Sequence, residues 1–266
     1  MKVGIIGSGY VGKAAGMGLY KKKHDVTFHD VNIQVLEDIA RKGFKVEYDL
    51  KHLVENNDIF FISVPTPSTQ KGIDLSFVRK VFLDLNQLPI TSKVFILKST
   101  VIPGTTRNFS VYFKGKLFFN PEFLQESTAL DDFINPDRVI LGYKDKNEKH
   151  FSALIKLFKP FKAEILCTTY ETAEMIKHVS NCFFSTRISY FNQFKPLCKK
   201  LKVDLEDLRY GVMLGKYFGK HPWKVGKKFS GNCLPKDIRA MIEFMKSKGE
   251  DTSLLESVER INEALQ

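Results

Sequence analysis

The chain has 266 residues, 43% of them hydrophobic and 27% charged, with 41 Lys and Arg against 30 Asp and Glu for a formal net charge of +11. That length allows one large or two modest domains with an ample core, and two is the expectation. No stretch approaches the 18 uncharged apolar residues of a membrane span, and the four cysteines, Cys167, Cys182, Cys198 and Cys233, lack both metal-ligand spacing and the density of a secreted disulfide scaffold.

A soluble, cytoplasmic chain is therefore expected, with no membrane association, no metal, and at least one reactive thiol. The lysines are scattered over 21–23, 144–162, 195–202 and 224–228 rather than gathered into one arm. That distribution suits solvated helix faces, with some attraction for anionic nucleotides, better than a nucleic-acid surface.

Short apolar runs alternate with amphipathic segments through the first part of the chain. The predicted strands are Val3–Ile6, Val26–His29, Ile59–Val64, Val94–Leu97, Leu117–Phe119, Val139–Leu141 and Ile165–Cys167. Their rhythm is that of βαβ units, so the fold class is α/β, a Rossmann-type doubly wound parallel sheet. From Tyr170 apolar residues recur at three- and four-residue intervals, which predicts one helix through about Leu201. Further helix is predicted from about Ile238, with a pause near Lys248-Gly249 and resumption from Leu254. The expected domains are 1–168, a dinucleotide-binding unit, and 169–266, an all-helical central unit. There is no internal repeat and no low-complexity tract.

The first chemical signal is Gly7-Ser8-Gly9-Tyr10-Val11-Gly12, between the first strand and a helix. In this fingerprint Gly7 makes the tight turn, Gly9 lets a pyrophosphate approach the backbone, and Gly12 allows close helix–strand packing. Asp30 falls at the end of the next strand, where a carboxylate binds ribose hydroxyls and repels a 2′-phosphate, favouring NAD over NADP. Two loops at the carboxyl ends of later strands, with Pro65 and Thr66 in one and Thr100 in the other, lie where such sheets contact ligands. Near the end of the chain, Lys228-Phe229-Ser230-Gly231-Asn232-Cys233-Leu234-Pro235-Lys236-Asp237 places a cysteine in a glycine-bearing loop with a lysine and an aspartate behind it. A thiolate there can trap an aldehyde as a thiohemiacetal and, after oxidation, hold a thioester.

These residues resemble the nucleotide-sugar 6-dehydrogenases, the UDP-glucose and GDP-mannose dehydrogenase group. The likeness runs in order through Val-Pro-Thr-Pro at 64–67, Lys-Ser-Thr-Val at 98–101, Asn-Pro-Glu-Phe-Leu-Gln-Glu at 120–126 and Asn-Pro-Asp-Arg-Val at 135–139. It continues through Glu171-Thr172-Ala173-Glu174 to Lys177 and Asn181, then Arg187-Ile188-Ser189, and Cys233-Leu234-Pro235-Lys236-Asp237.

The resemblance implies a four-electron oxidation of a sugar C6 alcohol to a carboxylate with two NAD per turnover, serving polysaccharide precursor synthesis. It implies Cys233 as nucleophile, Lys177 and Asn181 steadying the oxyanion at C6 or a catalytic water, and Asp237 with Thr100 orienting water. Glu122 is implied as the base of thioester hydrolysis. Glu126, Phe123, Leu124, Lys236 and Asn192 are expected to shape the sugar pocket, and the long helix to form a homodimer interface. Its aromatic surplus includes Phe183, Phe184, Tyr190, Phe191 and Phe194, which would equally suit a monomer core.

Three departures qualify the likeness. Ser230-Gly231 stands where the family commonly has Gly-Gly, and Tyr217 stands where an arginine contacts the substrate from a neighbouring subunit. Family members also continue into a third domain, so a separate carboxyl-terminal partner domain is an expectation. Two other readings stay open: a non-catalytic NAD- or nucleotide-binding core needing that partner, and a two-electron hydroxyacid-type dehydrogenase without a covalent cysteine.

Overall fold

A computed structural model describes residues 1–69, 72–145, 150–216, 226–230 and 233–265. The chain forms two compact units, the first comprising Met1–Thr69 with Ile73–Lys177, the second built on His178–Gln266.

The first unit is organised by an eight-stranded sheet. Its strands are β1 (Lys2–Ile6), β2 (Asp25–His29), β3 (Lys45–Val46), β4 (Ile59–Ile62), β7 (Val94–Leu97), β8 (Lys116–Phe119), β9 (Arg138–Tyr143) and β10 (Glu164–Thr169), in the order β10-β9-β8-β7-β4-β1-β2-β3. A separate two-stranded ribbon joins β5 (Ser68–Thr69) to β6 (Gly72–Ile73). The central strands are continuous apolar runs because both faces are covered. In β4, Ile59 and Phe61 enter one core with Val3, Ile5, Ile96 and Phe118, while Phe60 and Ile62 enter the other with Ile6, Phe95, Leu97 and Phe119. The covering helices are α1 (Tyr10–Lys21), α2 (Ile33–Ala40), α3 (Leu50–Asn56), α4 (Ser76–Asn86), α5 (Thr105–Ser110), α6 (Ala129–Ile134) and α7 (Phe151–Phe158).

The sheet is mostly rather than wholly parallel. The neighbours β3-β2-β1-β4-β7-β8 run parallel in the doubly wound order, whereas β9 meets β8 antiparallel at Phe119–Gly142 and runs parallel to β10. The link from β8 to β9 contains only the six-residue α6. That helix lies on α1, with Phe133 so close to Gly18 that a Cβ there would fall 2.3 Å from its ring.

The helix predicted from Tyr170 to Leu201 is two helices, α8 (Tyr170–Asn192) and α9 (Lys195–Leu201). Pro196 sits in the first turn of α9, where its missing N–H costs nothing and continuation of the preceding helix is blocked. The compact units divide within α8, while the change from strand to helix falls at Thr169–Tyr170.

The second unit continues with α10 (Leu205–Met213), α11 (Leu234–Ser247) and α12 (Ser253–Glu263), and from His178 onward contains no strand among its described residues. Gly249, at φ +77°, turns the chain between α11 and α12. Ser189 Oγ donates to the Val258 carbonyl at 3.0 Å, tying α8 to α12, and Arg239 of α11 pairs with Glu259 and Glu263 of α12. Among the described residues no helix is long and apolar enough to cross a membrane.

Candidate active site

The glycine fingerprint has the conformation its spacing demands. Gly7, immediately after β1, has φ +84° and donates to the His29 carbonyl at 3.0 Å. Its turn packs so closely that a Cβ on Gly12 would sit 1.9 Å from the Gly7 carbonyl oxygen. At Gly9, the N-cap of α1, an added Cβ meets nothing within 4 Å, leaving the turn open above the helix N-terminus. Tyr10 and Val11 begin that helix. The Asp30 carboxylate accepts from the Ser8 N–H at 2.6 Å and the Asn32 N–H at 2.9 Å, which brings it to the rim of the same turn. An open, donor-rich helix start with a carboxylate beside it fits the pyrophosphate and ribose of a dinucleotide.

The two strand-end loops lie side by side, joined by Ser99 Oγ donating to the Val64 carbonyl at 2.7 Å. Pro65 is exposed there, while Thr66 and Thr100 are buried. Beyond Thr100 the loop is fastened by Glu174 of α8, whose carboxylate accepts from the N–H groups of Gly104 at 2.6 Å and Thr106 at 2.7 Å. Burial pushes the Glu174 carboxyl up to about 7 against the opposing effect of those bonds.

A buried ionic cluster forms in the same unit. Lys177 Nζ of α8 lies 2.8 Å from Glu122 Oε1, with both side chains about one-twentieth exposed. Glu122 Oε2 accepts from the Leu124 N–H at 2.7 Å, so the carboxylate is fixed at both oxygens. Lys98, at the end of β7, is also buried and donates to Asn120 Oδ1 at 2.8 Å. Asn120 in turn donates to the Ile140 carbonyl at 2.8 Å. Phe123 lies under the Arg138 guanidinium, 4.0 Å from its ring centroid, with Lys177 Nζ at 5.7 Å. Leu124 is half-buried beside it. Glu126 is exposed in the turn before α6 and does not share the buried position of Glu122; residues 121–128 are not helical, so their four-residue spacing makes no common face.

The second unit carries the thiol. Cys233 is the half-buried N-cap of α11, and its carbonyl accepts from the Asp237 N–H at 2.8 Å, closing the first turn with thiol and carboxylate one turn apart. Asp237 is only 1% exposed. Its Oδ2 accepts from Asn181 Nδ2 at 2.5 Å and its Oδ1 lies 3.4 Å from Lys236 Nζ. Cys182 is buried in α8, its thiol pushed up to about 12 by burial and then by the nearby Asp237 charge. Cys198 is buried too, and burial raises the Cys167 thiol. Asn192 takes no open position: it accepts from the Gly226 N–H at 2.6 Å and donates to the Lys227 carbonyl at 3.1 Å, holding the loop. Tyr217 and Gly231 lie outside the described residues.

Sequence reasoning missed the buried, hydrogen-bonded positions of Lys98, Asn120 and Glu174 in this framework, although it met them inside motifs. The available signal was a lysine directly following the wholly apolar strand Val94–Leu97, since burial of an unpaired ammonium is costly.

Two family profiles cover nearly the whole chain: the NAD-binding domain of the UDP-glucose/GDP-mannose dehydrogenase family over residues 1–57 and 34–162, and its central domain over 171–264. A UDP-glucose 6-dehydrogenase of Rickettsia prowazekii is 34% identical over 291 aligned positions, covering 98% of this chain and 67% of that protein. The UDP-glucose 6-dehydrogenase YwqF of Bacillus subtilis is 31% identical over 98% of this chain and 66% of its own length. The chain thus spans about two thirds of these relatives. A solved UDP-glucose dehydrogenase from Pyrobaculum islandicum superposes with a TM-score of 0.89 at 29% identity, covering 98% of this chain and 68% of that one. With the dinucleotide turn, the strand order and both profiles in agreement, the chain belongs to the UDP-glucose/GDP-mannose dehydrogenase family of NAD-dependent oxidoreductases.

Proposed function

We propose that the chain oxidises the C6 alcohol of a nucleotide sugar, UDP-glucose foremost, to a carboxylate through a thioester on Cys233. The observation that carries this reading is the first turn of α11, where a half-buried thiol stands one turn from a buried carboxylate that is hydrogen-bonded to Asn181. An alcohol dehydrogenase that stopped at the aldehyde would have no use for that thiol.

When bound, NAD supplies the hydride acceptor for each of the two oxidations. The protein's own groups do the rest. Cys233 Sγ bonds to the aldehyde carbon, and its proton goes to the aldehyde oxygen, giving a thiohemiacetal. Loss of hydride and of the hydroxyl proton leaves the thioester; water then adds, the C–S bond breaks, and carboxylate and thiol are released. Negative charge appears on O6 at the tetrahedral stages, where the Lys177 ammonium and Asn181 amide, one turn apart on α8, are suited to receive it. Glu122 is the base for the attacking water, with Asp237 and Thr100 orienting it. Phe123, Leu124 and Lys236 line the sugar.

The same reading includes a homodimer through α8, on which Phe183 and Tyr190 are 63% and 54% exposed while Phe191 is buried. Sedimentation at two concentrations tests it, and a monomer at both would refute that element.

Absorbance of NADH with a panel of UDP- and GDP-sugars tests the reaction. Two NADH per sugar is the expected result, and Cys233→Ser should abolish the second. Turnover that stops at one NADH, or that survives Cys233→Ser at two, would refute the thioester route.

A further inference from the structure

Three buried ionisable side chains, Lys98, Glu122 and Lys177, belong to one neighbourhood, but only two of them form an ion pair. Lys98 Nζ instead grips Asn120, donating to its side-chain oxygen at 2.8 Å and lying 3.4 Å from its main-chain carbonyl. Asn120 is the last residue before Pro121-Glu122, and its own N–H is bonded to the Leu97 carbonyl at 2.9 Å. The amine therefore clamps the segment that delivers Glu122.

We propose that Lys98 is a positioning residue of the oxidation: clamped on Asn120, it aims Glu122, and its charge sets how strongly Glu122 and Lys177 act on the substrate. The inference rests on the roles proposed above for those two residues.

Charge is the reason a lysine stands there. With all three groups ionised the cluster holds two cations and one carboxylate, out of water, where like charges are poorly screened. The charged groups facing Nζ are Glu122 in the loop after β8 and Lys177 on α8; α6 contributes the Phe133 ring, 5.4 Å away. Burial, helped by Lys177 and opposed by Glu122, brings the Lys98 amine down to about 7. A protonated Lys98 places a surplus positive charge beside the Glu122–Lys177 pair, which opposes delivery of a further proton to Glu122 from the attacking water; loss of the Lys98 proton removes that surplus and leaves a balanced pair.

Two substitutions separate clamp from charge. Lys98→Gln keeps a donor for Asn120 without the charge, and Lys98→Met removes both. The Gln variant, fixed in the neutral state, should exceed the wild type in kcat several-fold at pH 6 and match it within about threefold at pH 8.5, with KM for the sugar little changed. The Met variant should lose kcat at every pH. A ratio of Gln variant to wild type that does not change with pH would overturn the charge role, and a fully active Met variant would overturn the clamp.

A second readout needs no turnover. In protein labelled with 13C at lysine Cε, one signal should titrate near neutrality, move to higher pH in Lys177→Gln, and move to lower pH in Glu122→Gln. Its absence, with every lysine titrating near 10, would overturn the inference. An inactive wild type that nonetheless shows this signal would instead refute the proposed reaction.

Discussion

Replacing Glu174 with glutamine should change how stability depends on pH, because this buried carboxyl is pulled two ways. Burial raises its proton affinity, while the Gly104 and Thr106 N–H groups favour the ionised form. With burial prevailing, the carboxyl goes from 4.5 to about 7 on folding. The folded state then holds the proton more tightly than the unfolded state. Its contribution to stability is complete below pH 4.5 and is lost as pH rises through 7. At about 1.4 kcal/mol per pH unit for one proton, that window corresponds to about 3 kcal/mol. Glutamine cannot titrate, so urea denaturation of wild type and Glu174→Gln from pH 4.5 to 8 isolates the site. The wild type should lose about 3 kcal/mol relative to the variant across that range. A relative gain with rising pH would show that the two backbone donors outweigh burial, and would refute the reasoning.

Gly12→Ala should abolish NAD binding and lower the melting temperature, since its Cβ would lie 1.9 Å from the Gly7 carbonyl oxygen, a backbone atom that cannot swing away; calorimetry with and without NAD checks this. Asp30→Asn should weaken NAD binding roughly tenfold and reduce discrimination against NADP, because the rim carboxylate held by Ser8 and Asn32 loses its charge; paired titrations with the two cofactors measure it. At pH 8 iodoacetamide should modify Cys233 well before Cys182, whose thiol is buried and pushed up to about 12; mass spectrometry of timed samples gives the order.

Much of the fold was legible because its strands are buried on both faces and so stand out as apolar runs. Val94–Leu97 matches β7 residue for residue, and the other predicted strands lie within or close to observed ones. The two-residue β3 and the ribbon β5–β6 carry too few side chains to leave a pattern. The reversed direction of β9 depends on how the chain leaves β8, which strand composition does not encode. At α8 and α9 the apolar spacing continues across the join, and only Pro196 marks the break. The candidate site divides in the same way. Cys233 and Asp237 were legible from a four-residue spacing that a helix turns into proximity, whereas Lys98 and Asn120 meet across strands and had no such local signature.

The hardest feature to read lies along α8. Glu171, Glu174, Lys177 and Asn181 recur along α8 at three- and four-residue intervals, which in a sequence looks like the solvated face of an amphipathic helix. Each instead has a distant partner: Arg107 for Glu171, the Gly104 and Thr106 amides for Glu174, Glu122 for Lys177 and Asp237 for Asn181. Hydrophobic periodicity locates a core by assuming that polar residues seek water. That assumption fails at Glu174 and Lys177, which are buried and satisfied by other polar groups. Such burial adds little net stability compared with apolar packing, since desolvation offsets most of the attraction. What it does provide is fixed orientation within each unit: in the first, Glu174 holds the loop after Thr100 and Lys177 holds the proposed base, and in the second, Asn181 holds the acid one turn from the thiol. In the first unit a one-residue shift of α8 would break the Glu174 and Lys177 contacts together, so polar residues that look like surface in the sequence are the ones that fix the loop after Thr100 and the proposed base Glu122.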